Sequence, residues 1–236
     1  MPGYGQFCPL AQASEVLAER WTPLVLREML EGGRRFNEIQ RGVPLMSSTL
    51  LSKRLRGLVR LGLVERGERP DGSGTEYRLT PAGQELGPVL KGMAVWSERW
   101  LRRPITPEDA EPQYLMWTVK TDAVPDELPT ERTVAHFRFP GAPDKLRYWW
   151  LVLQRPEIDL CLSDPGFGVD LTVTSSPQAL AEVIAGDRPL AAALRSGAIE
   201  LKGSREATRG FRRWFGLSPF AGIKRPAGRG RAPAGV

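Results

Sequence analysis

The run from Arg34 to Leu61, RRFNEIQRGVPLMSSTLLSKRLRGLVRL, constrains this chain more than any other stretch. Phe36 and Ile39 mark a short amphipathic segment, Gly42-Val43-Pro44 breaks it, and a second helical pattern resumes behind Ser47. Two helices separated by so tight a break predict a helix-turn-helix. In the second helix Leu51, Leu55, Leu58 and Val59 recur at helical spacing, while Ser48, Thr49, Ser52, Lys53 and Arg56 fall away from that stripe. Ser47 is the expected N-cap, because its hydroxyl can accept an amide hydrogen bond that the first turn leaves open. The small polar residues therefore begin at the helix end, the part that a major groove admits.

Charge is concentrated in the same place. Between Arg34 and Arg69 there are nine Lys or Arg and three Glu, an excess of six that equals the net charge of the whole chain. A basic amphipathic helix taken alone is more often a solvated face than a binding face, and the residues that follow shift the balance. Gly62-Leu63-Val64-Glu65-Arg66 stops the helix and opens a strand, Asp71-Gly72-Ser73-Gly74 supplies a flexible apex, and Tyr77-Arg78-Leu79 returns. Helix, turn, helix and hairpin in this order predict a winged helix, whose hairpin lies beside the groove that the recognition helix enters.

The first part of the chain, from about Cys8 to Leu101, resembles the HxlR-type winged helix-turn-helix transcriptional regulators. The resemblance is carried by Cys8-Pro9, Arg20-Trp21-Thr22, Arg34-Arg35-Phe36-Asn37-Glu38-Ile39, Leu51 to Leu58, Gly62-Leu63-Val64, Tyr77-Arg78-Leu79-Thr80 and Gly83. It implies a homodimer that binds double-stranded DNA at an inverted-repeat operator, with terminal helices building the dimer interface. Ser48, Thr49, Ser52 and Lys53 are the candidates at the base edges and Arg34, Arg35, Arg54, Arg56 and Arg69 those for the phosphates, with the capping Ser47 also in the DNA-binding set. In several members of that family a cysteine at the place of Cys8 senses oxidants; a small apolar contact is the alternative.

The remaining elements follow local signals. Residues 10–19 and 21–30 read as scaffold helices, the second with Thr22 as N-cap and Pro23 at its first position. Thr80-Pro81 opens a long helix toward Arg102, with Leu86, Val89, Leu90, Met93, Trp96, Trp100 and Leu101 on an apolar face too wide for the small domain. Either a partner subunit or the rest of the chain covers it. Residues 1–102 thus form the DNA-binding and dimerisation domain, the Pro- and acid-rich 103–112 a linker, 113–220 a second domain, and 221–236 a disordered basic tail.

In that second domain strand-like alternation occurs at 115–119, 135–139, 148–153, 158–162 and 171–173, and helices are expected behind Ser176-Pro177, from Pro189 and from Arg205, with a strand at 198–202. The whole chain is α+β, its second domain a mostly antiparallel sheet covered by helices. Leu171-Thr172-Val173, Gly186-Asp187, Leu194-Arg195-Ser196-Gly197 and Ile199 to Gly203 resemble the C-terminal part of a sterol-carrier-protein-like domain. That resemblance implies an apolar cavity for a hydrophobic small molecule, with Trp117, Phe137, Phe139, Trp149, Leu151, Leu160 and Leu162 as lining. The alternative is that these side chains fill a dry core.

Several function classes are excluded or left without residues. Two cysteines and one histidine are too few for a zinc site or a disulfide framework, and no cofactor is expected. His136 lies in an alternating strand with no nucleophile motif near it, and Gly72-Ser73-Gly74 lacks the Lys-Thr of a phosphate loop, so no enzyme is expected. No apolar run of membrane-spanning length occurs, no signal peptide is expected, and the expected location is cytoplasmic. The rival function is a carrier of lipids or hydrophobic ligands whose winged helix mediates protein contacts.

Overall fold

A computed structural model describes residues 3–224. The basic residues beyond Lys224, including Arg225, Arg229 and Arg231 of the expected tail, lie outside the described residues. The chain divides into two compact units between Ala94 and Val95, within a helix rather than in the expected linker 103–112. That segment is built into the second unit: Gln178 Nε2 donates to the Ile105 carbonyl at 2.9 Å, Arg103 pairs with Asp109, and Ala110 is buried. No helix among the described residues is long and apolar enough to cross a membrane.

The first unit contains α1 (Pro9–Leu17), α2 (Thr22–Leu30), α3 (Phe36–Gly42), α4 (Ser48–Arg60), β1 (Val64–Glu68), β2 (Thr75–Leu79) and α5 (Pro81–Gln84); α6 (Leu86–Trp100) begins in it. Val25 and Leu26 of α2, Ile39 of α3, and Leu51, Leu55 and Leu58 of α4 close on Val43, Met46 and Val64 to form one core. Thr22 is not the N-cap of α2. Trp21 occupies that position in the left-handed region (φ 76°), and Thr22 lies buried inside the helix. For a bulky residue this conformation costs about 1–2 kcal/mol, which the packing of the Trp21 ring against the core opposes. The long helix expected after Thr80 is interrupted at Glu85. Pro88 explains the break, since it has no N–H for the Gln84 carbonyl and its ring would crowd that oxygen.

The second unit contains the rest of α6, α7 (Pro112–Thr121), β3 (Thr133–Arg138), β4 (Tyr148–Gln154), β5 (Glu157–Cys161), β6 (Leu171–Ser175), α8 (Pro177–Ile184), α9 (Leu190–Arg195), β7 (Ile199–Gly203) and α10 (Arg205–Trp214). The expected strand at 115–119 is part of α7. The Glu111 carboxylate caps this helix by accepting from the Tyr114 amide at 2.7 Å, Pro112 takes the first turn, and Leu115, Met116 and Val119 bury one face. Leu115, Met116 and Val119 fit helical periodicity while Leu115, Trp117 and Val119 fit alternation, and the cap decides between the two.

The five strands form one sheet in the order β5-β4-β3-β6-β7, antiparallel except for β3 and β6. Phe137, Trp149, Leu151, Leu153, Leu171, Val173 and Ile199 point to the face that the helices cover, where Met116, Leu180, Val183, Phe211 and Trp214 meet them. Trp149 keeps its indole N–H satisfied on the Leu146 carbonyl at 2.7 Å. The other face carries His136, stacked on Trp150 with ring centroids 4.5 Å apart. Burial pushes the His136 imidazole below its ordinary pKa, and nearby Arg138 adds to this against the opposing effect of Asp164.

Candidate nucleic-acid interface

The entry to α3 is held by Glu38, whose carboxylate accepts from the amides of Arg34 (3.1 Å) and Arg35 (3.0 Å). Burial opposes the charged form there, yet these two hydrogen bonds and the Arg35 and Arg41 charges hold the Glu38 carboxyl below its usual range. Arg34 and Arg35 are exposed at this corner. The Arg34 carbonyl accepts from the Tyr77 amide at 2.8 Å, which ties the wing to the start of α3.

The turn between α3 and α4 is packed from within. Val43 and Met46 are buried, and Gln40 Nε2 donates to the carbonyls of Met46 at 2.6 Å and Val43 at 3.3 Å. Arg27 reaches across from α2 to the Gly42 carbonyl at 3.1 Å and also binds the buried Glu28 carboxylate. A Cβ on Gly42 would overlap that carboxylate, so a larger residue there displaces the Glu28 side chain.

Ser47 caps α4 as expected, its hydroxyl accepting from the Leu50 amide at 3.3 Å. Leu51, Leu55 and Leu58 face the core. Ser48, Thr49, Lys53 and Arg56 are exposed and Ser52 is half-buried; at 100° per residue all five lie within an arc of about 140°. Arg54 does not belong with them. Its side chain is 9% exposed, pairs with Glu19 and donates to the Arg20 carbonyl at 3.0 Å, so it holds the end of α1 to α4 and is not free for a phosphate. Position 54 turns inward because it lies on the Leu51–Leu58 side of the helix.

The wing pairs β1 with β2 from Val64 opposite Leu79 to Glu68 opposite Thr75. Gly72 (φ +70°) and Gly74 (φ +124°) make the tip, and Asp71 accepts from the Ser73 amide and hydroxyl at 3.0 and 2.8 Å. Those bonds hold the Asp71 carboxyl below its usual range. Arg69, expected to hold phosphate, is half-buried and committed to Asp71 at 2.7 Å and to Ser73, so it shapes the tip. Arg66 and Arg78 are exposed on the wing, Arg78 paired with Glu76, and Arg60 is exposed at the end of α4. Arg60 and Arg66 entered the local charge excess without being assigned; strand alternation gives no signal for Arg66, which shares a face with buried Val64.

The residues expected to line a ligand cavity are mostly packed solid. Phe137, Phe139, Trp149 and Leu151 are fully buried, Trp117 sits on α7, Leu160 is half-buried against the core, and Leu162 is 61% exposed. An apolar cavity of about 540 Å³ lies elsewhere in this unit, among α8, α9, α10 and residues 215–217, and Phe137 alone of the expected set reaches it. Cys8 is exposed at the N-cap position of α1, whereas burial and Asp159 push the Cys161 thiol up.

A capped helix presenting short polar and basic side chains, backed by a scaffold helix and flanked by a two-stranded wing, defines a winged helix-turn-helix protein of the DNA-reading class. Residues 16–104 match the HxlR-like helix-turn-helix family. The chain is 35% identical over 98 residues to the uncharacterized HTH-type transcriptional regulator YvaP of Bacillus subtilis, covering 41% of this chain and 91% of that one. An uncharacterized HTH-type transcriptional regulator of Mycobacterium tuberculosis is 41% identical over 99 residues, 42% of this chain and 62% of its own length. The HTH-type transcriptional regulator YodB of Bacillus subtilis is 32% identical over 95 residues, 39% and 85% of the two chains. A structure of its reduced form covers 40% of this chain and 95% of its own, at 30% identity and a TM-score of 0.37. The protein belongs to the HxlR-like helix-turn-helix family.

Proposed function

We propose that the protein is a sequence-specific transcriptional regulator that binds an inverted-repeat operator as a homodimer. The observation that carries this reading is the arc of exposed Ser48, Thr49, Lys53 and Arg56 with half-buried Ser52 directly behind the Ser47 cap of α4. Short hydroxyl side chains and one lysine at a helix end suit base edges in a major groove, while Arg34, Arg35, Arg56 and Arg66 suit the backbone on either side. Two such helices read half-sites about one helical turn apart, roughly 34 Å. Val89, Met93, Trp96 and Trp100 leave an apolar face of α6 exposed, and a second copy of the chain is the cover proposed for it.

Binding of the purified protein to promoter DNA upstream of its own gene, against random duplex of the same length, tests the reading. A steep loss of affinity with rising salt and a preference for the promoter are expected. Salt-independent or absent binding overturns it and favours the ligand-carrier alternative.

Regulation by a hydrophobic molecule is proposed for the cavity among α8, α9 and α10, whose apolar wall includes Val183, Leu190, Phe211 and Phe215. A ligand there controls DNA binding only as far as it favours one arrangement of the dimer over another. Thermal shifts with a panel of hydrophobic acids are expected to single out ligands that also change operator affinity. A second reading, thiol sensing through Cys8, is favoured by the exposure of that thiol at the start of α1. Oxidant treatment that releases the operator from the wild type and not from Cys8→Ser supports it.

A further inference from the structure

We propose that α10 carries a second contact for duplex nucleic acid, a ridge of three arginines in the second unit that binds the sugar-phosphate backbone. This inference rests on the DNA-binding reading above and adds to it a surface outside the winged helix. Arg205, Arg209 and Arg212 are all exposed and occur at i, i+4 and i+7, so they share an arc of about 60° on one side of the helix. The opposite side is given over to packing: Ala207, Gly210, Phe211 and Trp214 are all buried. Lys202, exposed on the neighbouring β7, stands beside Arg209 and Arg212 along the groove between α10, β7 and α9, and has Glu200 at 3.4 Å.

Among the described residues none of the three arginines is in an ion pair, unlike Arg213, which lies 3.9 Å from Glu127 at the acidic edge of the helix. Glu206 faces that same edge and also borders Arg205 and Arg209. Arg205 stands in the first helical turn, where the positive end of the helix dipole disfavours a cation, so folding alone gives no reason for its charge. All three are arginines, whose planar forks match phosphate oxygens in pairs.

The ridge is about 10 Å long from Arg205 to Arg212 at 1.5 Å per residue. That length spans about three nucleotides of one strand at roughly 3.4 Å each. An anionic membrane is the less suited partner. A helix that lies on a membrane needs an apolar face to insert, and the apolar face of α10 is already spent on the core, with Phe211 and Trp214 each 4% exposed.

The test uses the full chain and a random-sequence duplex with long flanks, titrated by fluorescence anisotropy over a series of salt concentrations. The variants are Arg205→Gln/Arg209→Gln/Arg212→Gln and the charge-keeping Arg205→Lys/Arg209→Lys/Arg212→Lys. The glutamine variant is expected to bind at least about tenfold more weakly, with a log–log salt slope shallower by about 2 to 3, roughly 0.9 per lost phosphate contact. Its melting temperature stays that of the wild type, because the altered side chains are exposed, and the lysine variant keeps most of the slope. An unchanged slope in the glutamine variant overturns the inference while leaving the operator reading intact. Wild-type protein that binds no duplex at low salt sinks that reading as well. Vesicles of phosphatidylcholine with and without phosphatidylserine form the last arm, and a loss of vesicle binding with no change on DNA assigns the ridge to a membrane instead.

Discussion

Arg54 donates a hydrogen bond to the backbone carbonyl of Arg20, 34 residues earlier, at 3.0 Å. With its pairing to Glu19, this places the guanidinium of one recognition-helix arginine inside the domain, where it fixes the end of α1 against α4. Its neighbours Lys53 and Arg56 point the other way and are free to meet a ligand. One turn of helix therefore mixes a structural cation with two exposed ones, and substitution separates them.

Arg54→Met should lower stability by about 1–2 kcal/mol, since it removes a buried hydrogen bond to the Arg20 carbonyl and the pairing with the partly exposed Glu19 carboxylate. Lys53→Ala should leave the thermal midpoint in place and weaken operator binding by about 1–3 kcal/mol, with little effect on random duplex. Thermal denaturation and anisotropy titration of both variants check the pair. Equal weakening on operator and random DNA would remove Lys53 from base reading.

Gly42→Ala should destabilise the first unit by about 1–3 kcal/mol, because the new methyl group competes with the buried Glu28 carboxylate for one place. Disturbing Glu28 also disturbs Arg27, which holds the Gly42 carbonyl at the turn. The denaturant midpoint measures the effect, and an unchanged midpoint would mean that Glu28 has room to move aside.

Met93 and Trp96 stand 48% and 54% exposed on α6, an uncomfortable state for such large apolar groups in water. The double variant Met93→Glu/Trp96→Glu should convert the proposed dimer to a monomer and weaken binding to an inverted repeat far more than to a single half-site. Light scattering gives the mass directly. A wild type that is already monomeric at micromolar concentration contradicts the dimer.

His136 supplies a pH dependence with a definite sign. Its imidazole pKa is depressed in the folded chain by burial first and by Arg138 second. As pH falls below the unfolded value of about 6.5, the unfolded chain takes up the proton before the folded chain does, so stability is lost on acidification and is unaffected above that value. His136→Phe, which keeps a ring against Trp150, should flatten the thermal midpoint between pH 7 and about 5.5. A wild-type midpoint as flat as the variant's would count against the buried neutral imidazole.

Much of the reading head was legible because its signals are local. Ser47 before an apolar stripe, the break at Gly42-Val43-Pro44, and the Asp71-Gly72-Ser73-Gly74 apex each act over a few residues, and each appears where it was expected. The errors share a different origin. Whether 115–119 is strand or helix depended on the Glu111 cap and on which face met the sheet, and periodicity over five residues could not separate the two. Arg54 was counted among the free charges because sequence shows a charge without its partner, and Glu19 reaches it only in three dimensions; Arg69 is held by Asp71 and Ser73, two and four residues away, through the fold of the hairpin tip. The aromatic set around Trp149 was split between core and cavity, and strand register put it in the core.

What the chain of residues determined alone was the kind of protein: a basic helix-turn-helix with a wing, joined to an α+β unit, since helical period, caps and turns are properties of near neighbours. Tertiary structure decided which of the cations are available and where the second unit keeps an opening. Those outcomes turn on groups far apart in sequence, where burial and pairing spend one arginine on a carboxylate and leave another facing water.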